Sequence, residues 1–189
     1  MKKAAGAQNA VLKEGMSAPD TLIPVTEVVE QVLDNLLVMI RQERQALCTG
    51  PSITIYVGSI AIGGIYKRAA MASSSVLNKH FTKNPASTEY RFEQDAISPE
   101  SVHYLLITWM RETCQPFEAF AVPMQEAFSE NIALLRAARL LGMERYAKHI
   151  LSTYINYLKT ELPTYEEITI VEKNATSDKD PLWTSMVST

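Results

Sequence analysis

Ser52-Ile53-Thr54-Ile55-Tyr56-Val57-Gly58 is the stretch that decides the reading of this chain. From Ile53 to Val57 every residue is β-branched or aromatic, the side chains that pack best on a pleated, half-buried surface, so the run predicts a strand. Gly58-Ser59 permits a turn, and Ala61-Ile62-Gly63-Gly64-Ile65 can return as a second, weaker strand. The Ala-, Ser- and Met-rich segment 67–81 follows, and its small residues favour short, closely packed helices. Asn84-Pro85 breaks it, and Tyr90-Arg91-Phe92 alternates as a third strand.

Upstream of this centre the apolar residues change period. Val25, Val28, Val29, Val32, Leu33, Leu36, Leu37 and Ile40 recur at helical spacing, with Glu27, Glu30 and Asp34 early and Arg41 and Arg44 late. That order of charge complements a helix dipole, so an amphipathic helix is expected over 26–46, closed by Thr49-Gly50-Pro51. Its apolar face is broad: positions 28/29, 32/33 and 36/37 are all apolar, and Val38, Met39 and Ile40 follow in a row. One stripe can serve the chain's own core while a second serves a partner.

Downstream, Ser98-Pro99-Glu100 is a helix start, with serine as the cap, proline tolerated at the first helical position and glutamate at the positive end. Val102, Leu105, Leu106, Trp109 and Met110 mark its buried face. Segment 114–130, with Pro116 and Pro123, fits no period. Two helices then follow, the first carrying Leu134, Leu135 and Leu141 up to Gly142, the second running from Met143 through Tyr146, Ile150, Tyr154 and Leu158 to Pro163. Ile168, Ile170 and Val171 predict a further strand over 165–172. The polar residues from Lys173 to Thr189 predict a disordered tail, as do the small polar residues 1–20. The expected organisation is a tail over 1–20, one domain over 21–160 and an extension over 161–189.

The composition bounds the function. A hydrophobic share of 47% supports a core, and 189 residues suit one domain with tails. Eighteen basic residues are scattered against 21 acidic ones, for a net charge of -3, whereas phosphate binding calls for a concentrated cationic excess. No direct nucleic-acid partner is expected. Met1-Lys2-Lys3 leads into no apolar run of signal-peptide length, and no stretch reaches the roughly 18–20 apolar residues of a membrane span. The chain is therefore read as soluble and intracellular, nuclear or cytoplasmic, with no membrane partner. Cys48 and Cys114 are far apart in sequence and read as two reduced, packed thiols, which can pair only if the fold brings them together.

No motif carries chemistry. Gly58-Ser-Ile-Ala-Ile-Gly63-Gly64-Ile65 has Gly64 and Ile65 where a phosphate-binding loop needs lysine and a hydroxyl, and its glycine spacing fits no dinucleotide fingerprint. Ser73-Ser74-Ser75 lies in neither G-x-S-x-G nor S-x-x-K and reads as a helix junction. His80, His103 and His149 show no metal-ligand spacing with each other or with either cysteine, and Glu126 and Glu130 read as a solvated helical pair. No catalytic residue, metal site or cofactor is expected; the chain is not read as an enzyme.

Taken in order, these signals resemble a known family. The amphipathic helix, Ser52-Ile53-Thr54-Ile55-Tyr56-Val57-Gly58, a hairpin, and Tyr66-Lys67-Arg68-Ala69-Ala70-Met71-Ala72-Ser73-Ser74-Ser75-Val76-Leu77 are similar to the opening of BTB/POZ domains. That family reads D-V-x-L-x-V-G and then H-K-x-x-L-x-A-x-S-x-x-F. Ile97 to Met110 resembles its next helix, and Asn131 to Leu158 its closing helical pair. The likeness covers about 26–158, and the leading helix resembles the extra helix of the long, dimer-forming type, with divergences similar to stand-alone fungal members. Ser52 stands where the family has aspartate, Tyr66 where it has histidine and Ala70 where it has leucine, so Lys67 lacks the acidic companion of a charged groove.

The resemblance implies an α/β (α+β) fold, with a small mixed sheet flanked by helices and a C-terminal helical hairpin. It also implies homodimerisation through Val29, Val32, Leu36 and Ile40 on the leading helix and Ala69 and Met71 opposite, with Ser52 and Lys67 at the groove. The implied function is a protein-interaction module that pairs with itself and scaffolds an unidentified protein partner, in nuclear or chromatin-associated complexes that regulate transcription. The alternative is a substrate adaptor for a cullin-based ubiquitin ligase.

Overall fold

A computed structural model of the chain describes residues 35–187. The decisive stretch forms β1 (Ser52–Val57), and Ile60–Tyr66 returns antiparallel as β2. Gly58 takes the tight turn between them at φ 56°, in the left-handed region that glycine enters without steric cost. Alternation puts Ile53, Ile55 and Val57 in the core. A register shift between Ile53 and Ile55 marks a bulge opposite Gly63 and Gly64, the latter at φ 75°. An extra residue there explains how Ile62 and Ile65, three apart, both face inward.

Two short helices cross from β2 to the third strand. α2 (Lys67–Ser73) ends at Ser74, whose hydroxyl accepts from the Leu77 N–H and so starts α3 (Ser75–Lys83). β3 (Glu89–Phe92) then lies parallel to β1 on the side away from β2, giving the order β2-β1-β3. A parallel neighbour needs such a crossover, which is why the hairpin and the third strand have opposite senses. The class is thus mixed α and β, a three-stranded mixed sheet with eight helices among the described residues.

α4 (99–114) starts where the serine cap predicts, with Ser98 Oγ accepting from the Ser101 N–H. It winds as α-helix over Pro99–His103, widens to a π-helix over Tyr104–Trp109, and closes as α-helix over Met110–Cys114. Trp109 is fully buried against Tyr146, ring centroids 5.0 Å apart. The aperiodic segment after α4 is irregular and pinned by single bonds rather than by a ladder. Trp109 Nε1 and Thr113 Oγ1 both donate to the Phe120 carbonyl, and the Val122 N–H donates to the Tyr146 carbonyl.

The expected helical hairpin follows as α5 (Phe128–Leu140) and α6 (Glu144–Thr160). Between them Met143 N–H donates to Ala138 O at 2.6 Å and Gly142 N–H to Arg139 O at 3.0 Å, a Schellman ending with Gly142 at φ 65°. Two expectations downstream are overturned. Residues 165–172 are not a strand but lie in α7 (Tyr165–Asn174), started by a capping box in which Thr164 Oγ1 accepts from the Glu167 N–H and Glu167 Oε2 accepts from the Thr164 N–H. The tail from Lys173 is not disordered throughout, since Pro181–Val187 forms α8. Asp180 Oδ1 accepts from the Leu182 N–H at its start, and Oδ2 pairs with Arg139 on α5. α8 packs on α6, with Leu182 in the core, so the extension belongs to the same compact unit as the sheet.

The leading helix is shorter than expected. Asn35 to Ile40 form turns, and α1 covers only Arg41–Leu47. The remainder of the predicted helix, 26–34, and the predicted tail 1–20 lie outside the described residues.

Candidate interaction surface

One guanidinium organises the described end of the chain. Arg44 on α1 is almost fully buried, and it donates to four backbone carbonyls. Its Nε reaches Thr113 O at 3.1 Å, its Nη1 reaches Met39 O, and its Nη2 reaches Pro116 O at 2.6 Å and Phe117 O at 3.1 Å. These carbonyls lie at the C-terminal end of α4, just beyond it, and in the turn before α1. A helix C-terminus presents unpaired carbonyls and partial negative charge, both of which a cation satisfies. Among the described residues no carboxylate forms an ion pair with Arg44.

The knot holds two apolar segments side by side, and both leave side chains in solvent. Val38 is 78% exposed, Ile40 61% and Phe117 84%. All three stand on segments whose main-chain carbonyls Arg44 binds, and an aliphatic or aromatic side chain gains nothing from water.

The residues expected to make the dimer contact divide. Val29 and Val32 lie outside the described residues. Ile40 is exposed. Leu36 is a correction: its side chain is fully buried and its N–H donates to Tyr146 Oη at 3.4 Å, so it belongs to the chain's own core and offers no surface to a second copy. Ala69 is likewise buried within the chain, because the α2 face that carries it packs inward with Ala70 and Ala72. Met71 is half-buried at the edge of the core.

The groove pair also divides. Ser52 is exposed and sits opposite Tyr66 in the hairpin register. Lys67 Nζ donates to Pro85 O at 2.6 Å and to Ser87 O at 2.8 Å, and it lies 4.8 Å from the centre of the Phe81 ring. Those carbonyls and the ring face supply the negative charge that Ser52 does not. Lys67 therefore fastens the crossover to the loop before β3 instead of lining a charged groove.

Cys48 caps the C-terminal end of α1 and Cys114 is the last residue of α4, two helices that pack together, and the Cys114 thiol donates to Met110 Sδ at 3.9 Å. Cys48 is half-buried and Cys114 fully buried. The neighbouring Cys114 thiol and the positive charge of Arg111 hold Cys48 down to about 7, while Cys48 and burial push Cys114 up.

Groups that suggested chemistry in sequence have structural partners. Ser73 Oγ donates to Ala69 O, and Ser74 Oγ to Leu141 O. Among the described residues no cluster of three or more His, Cys, Asp or Glu is arranged to hold a metal, and no helix is long and apolar enough to cross a membrane. No family model matches the chain, and no curated protein matches it.

Sequence reasoning passed over Arg44, treating it only as a charge suited to a helix end. Three of its four partners are main-chain carbonyls 69 to 73 positions away, and carbonyls leave no mark in a sequence.

Proposed function

We propose that the chain is a protein-interaction module of BTB/POZ type that pairs with a second copy of itself and scaffolds a larger complex. The carrying observation is the exposure of Val38, Ile40 and Phe117 on the two segments whose carbonyls the buried Arg44 binds. In sequence, Asn35 is preceded by residues 25–34, which carry Val25, Val28, Val29, Val32 and Leu33 and read as amphipathic.

Magnitudes decide how far the trio suffices. At about 1.5 kcal/mol per side chain, burying three from each of two copies gives on the order of 9 kcal/mol. Association alone costs about 4–15 kcal/mol in lost translation and rotation. The trio by itself gives a weak pair, so a stable dimer needs Val29 and Val32 to add to it.

Light scattering on the full chain tests the proposal. The native chain should show twice the monomer mass, and Ile40→Glu with Phe117→Glu should lower it towards one copy while circular dichroism stays unchanged. A native chain that is monomeric at tens of micromolar, or a doubly charged variant that keeps the dimer mass, overturns it. Leu36 is unsuited to this test, because a charge there breaks the core whatever the oligomeric state.

A further inference from the structure

We infer that the open edge of β3 pairs with the same edge of a second copy, antiparallel and centred on Tyr90. This surface is separate from the one around Arg44, and the inference does not rest on that reading. β3 ends the sheet: β1 lies along one side, and among the described residues no strand lies along the other. The Thr54 N–H donates to the Thr88 carbonyl and the Gly58 N–H to the Phe92 carbonyl. Alternation along the strand therefore turns the main-chain groups of Tyr90 and Phe92 towards β1 and those of Glu89 and Arg91 away from it.

The outward groups are uncovered. Glu89 and Arg91 are exposed, as are residues 82–86 before the strand and 93–95 after it. Among the described residues the Arg91 N–H and carbonyl have no partner, and those of Glu89 meet only the Ser87 hydroxyl, at 3.4 and 3.0 Å. The Arg91 side chain does not shield the edge, because its guanidinium lies 3.9 Å from the centre of the Tyr56 ring, over β1. Unpaired edge groups in a row are a template for another strand.

The order of charge selects the occupant. Charges on an edge hinder pairing where like meets like. Glu89 and Arg91 carry opposite charges two positions apart on the solvent face, and within one strand they pair with each other at 2.5 Å. In an antiparallel pair about Tyr90, Glu89 of each copy stands opposite Arg91 of the other, and these same residues exchange their free N–H and carbonyl groups. Slipping one strand by two residues sets Glu89 against Glu89 or Arg91 against Arg91, and an in-register parallel pair puts like beside like. One arrangement attracts and its neighbours repel. The contact is two-fold, since it uses the same patch on both copies. β3 has only four residues, so the pairing is weak and follows protein concentration.

The test is hydrogen exchange on the full native chain, read amide by amide, dilute and at sub-millimolar concentration. The Arg91 amide should exchange about tenfold more slowly in the concentrated sample, while that of Tyr90, turned to β1, stays unchanged. Arg91→Glu should abolish the difference, and Glu89→Arg combined with Arg91→Glu, which again opposes unlike charges, should restore it. The concentration dependence should persist in the chain carrying Ile40→Glu and Phe117→Glu, and its loss there would assign the protection to the other surface and overturn the inference. An Arg91 amide equally slow when dilute, the sign of a cover by residues 1–34 of its own chain, overturns it, as does one that is fast at both concentrations. So does an effect that survives Arg91→Glu, or one that the double swap fails to restore in a chain with native circular dichroism. The two concentrations of the native chain decide the matter even if a variant folds poorly.

Discussion

Replacing Arg44 by methionine removes every donor from the knot while keeping an apolar stem of similar length. The Thr113 carbonyl belongs to a buried residue, and losing its donor should cost about 1.5 kcal/mol. The Met39, Pro116 and Phe117 carbonyls are nearer to water, which replaces part of what is lost, so about 0.5 kcal/mol each is reasonable. The gross loss is then about 3 kcal/mol, reduced somewhat because the variant no longer has to desolvate a buried cation. A net loss of about 2–3 kcal/mol, at a urea slope of about 2 kcal/mol per molar, lowers the midpoint of unfolding by about 1–1.5 M. Arg44→Lys should fall between, since an ammonium cannot fork to carbonyls on three sides. Urea unfolding followed by circular dichroism measures the midpoints, and hydrogen exchange of the amides from Leu36 to Ile40 reports whether the turn before α1 loosens. A midpoint unchanged or raised in Arg44→Met refutes the reasoning, for it would make the buried cation a net liability.

Two further outcomes follow from local geometry. Gly142→Ala should cost about 2 kcal/mol, because an L residue at φ 65° loses about 1–2 kcal/mol and its Cβ would lie 1.8 Å from Ser75 Oγ; a urea midpoint within error of the native value would show that the turn has slack. Asp180→Ala removes both the α8 cap and the partner of Arg139, for about 1–2 kcal/mol. Hydrogen exchange should then show the amides of 182–187 losing protection while those of β1 keep theirs, and equal protection in both chains would contradict the assigned role.

Each miss at the C-terminal end has a local cause. The strand expected over 165–172 rested on Ile168, Ile170 and Val171, three residues that suit either period. Thr164 and Glu167 were the sharper signal, because a capping box satisfies two orphan donors at once and so fixes where a helix begins. The disordered tail rested on polarity, and Asp180-Pro181, a cap followed by proline at the first helical position, was the sign against it. Both signals were present in the sequence and were outweighed by composition.

By itself the sequence determined β1, its hairpin, the short crossover helices, the Ser98 start of α4 and the helical pair around Gly142. Those elements are dictated by residues within a few positions of one another: alternation, a cap, a glycine that enters the left-handed region. Only the tertiary structure decided which apolar residues before α1 face inward. A stripe with Leu36, Val38 and Ile40 all apolar has no preferred inside until the Tyr146 hydroxyl and the Arg44 knot choose Leu36 for the core and leave Val38 and Ile40 in water. The same holds for three of the four carbonyls that surround Arg44, which lie 69 to 73 residues away. Main-chain groups are the same at every position, so what they bind is settled by where the chain passes rather than by which residues it contains.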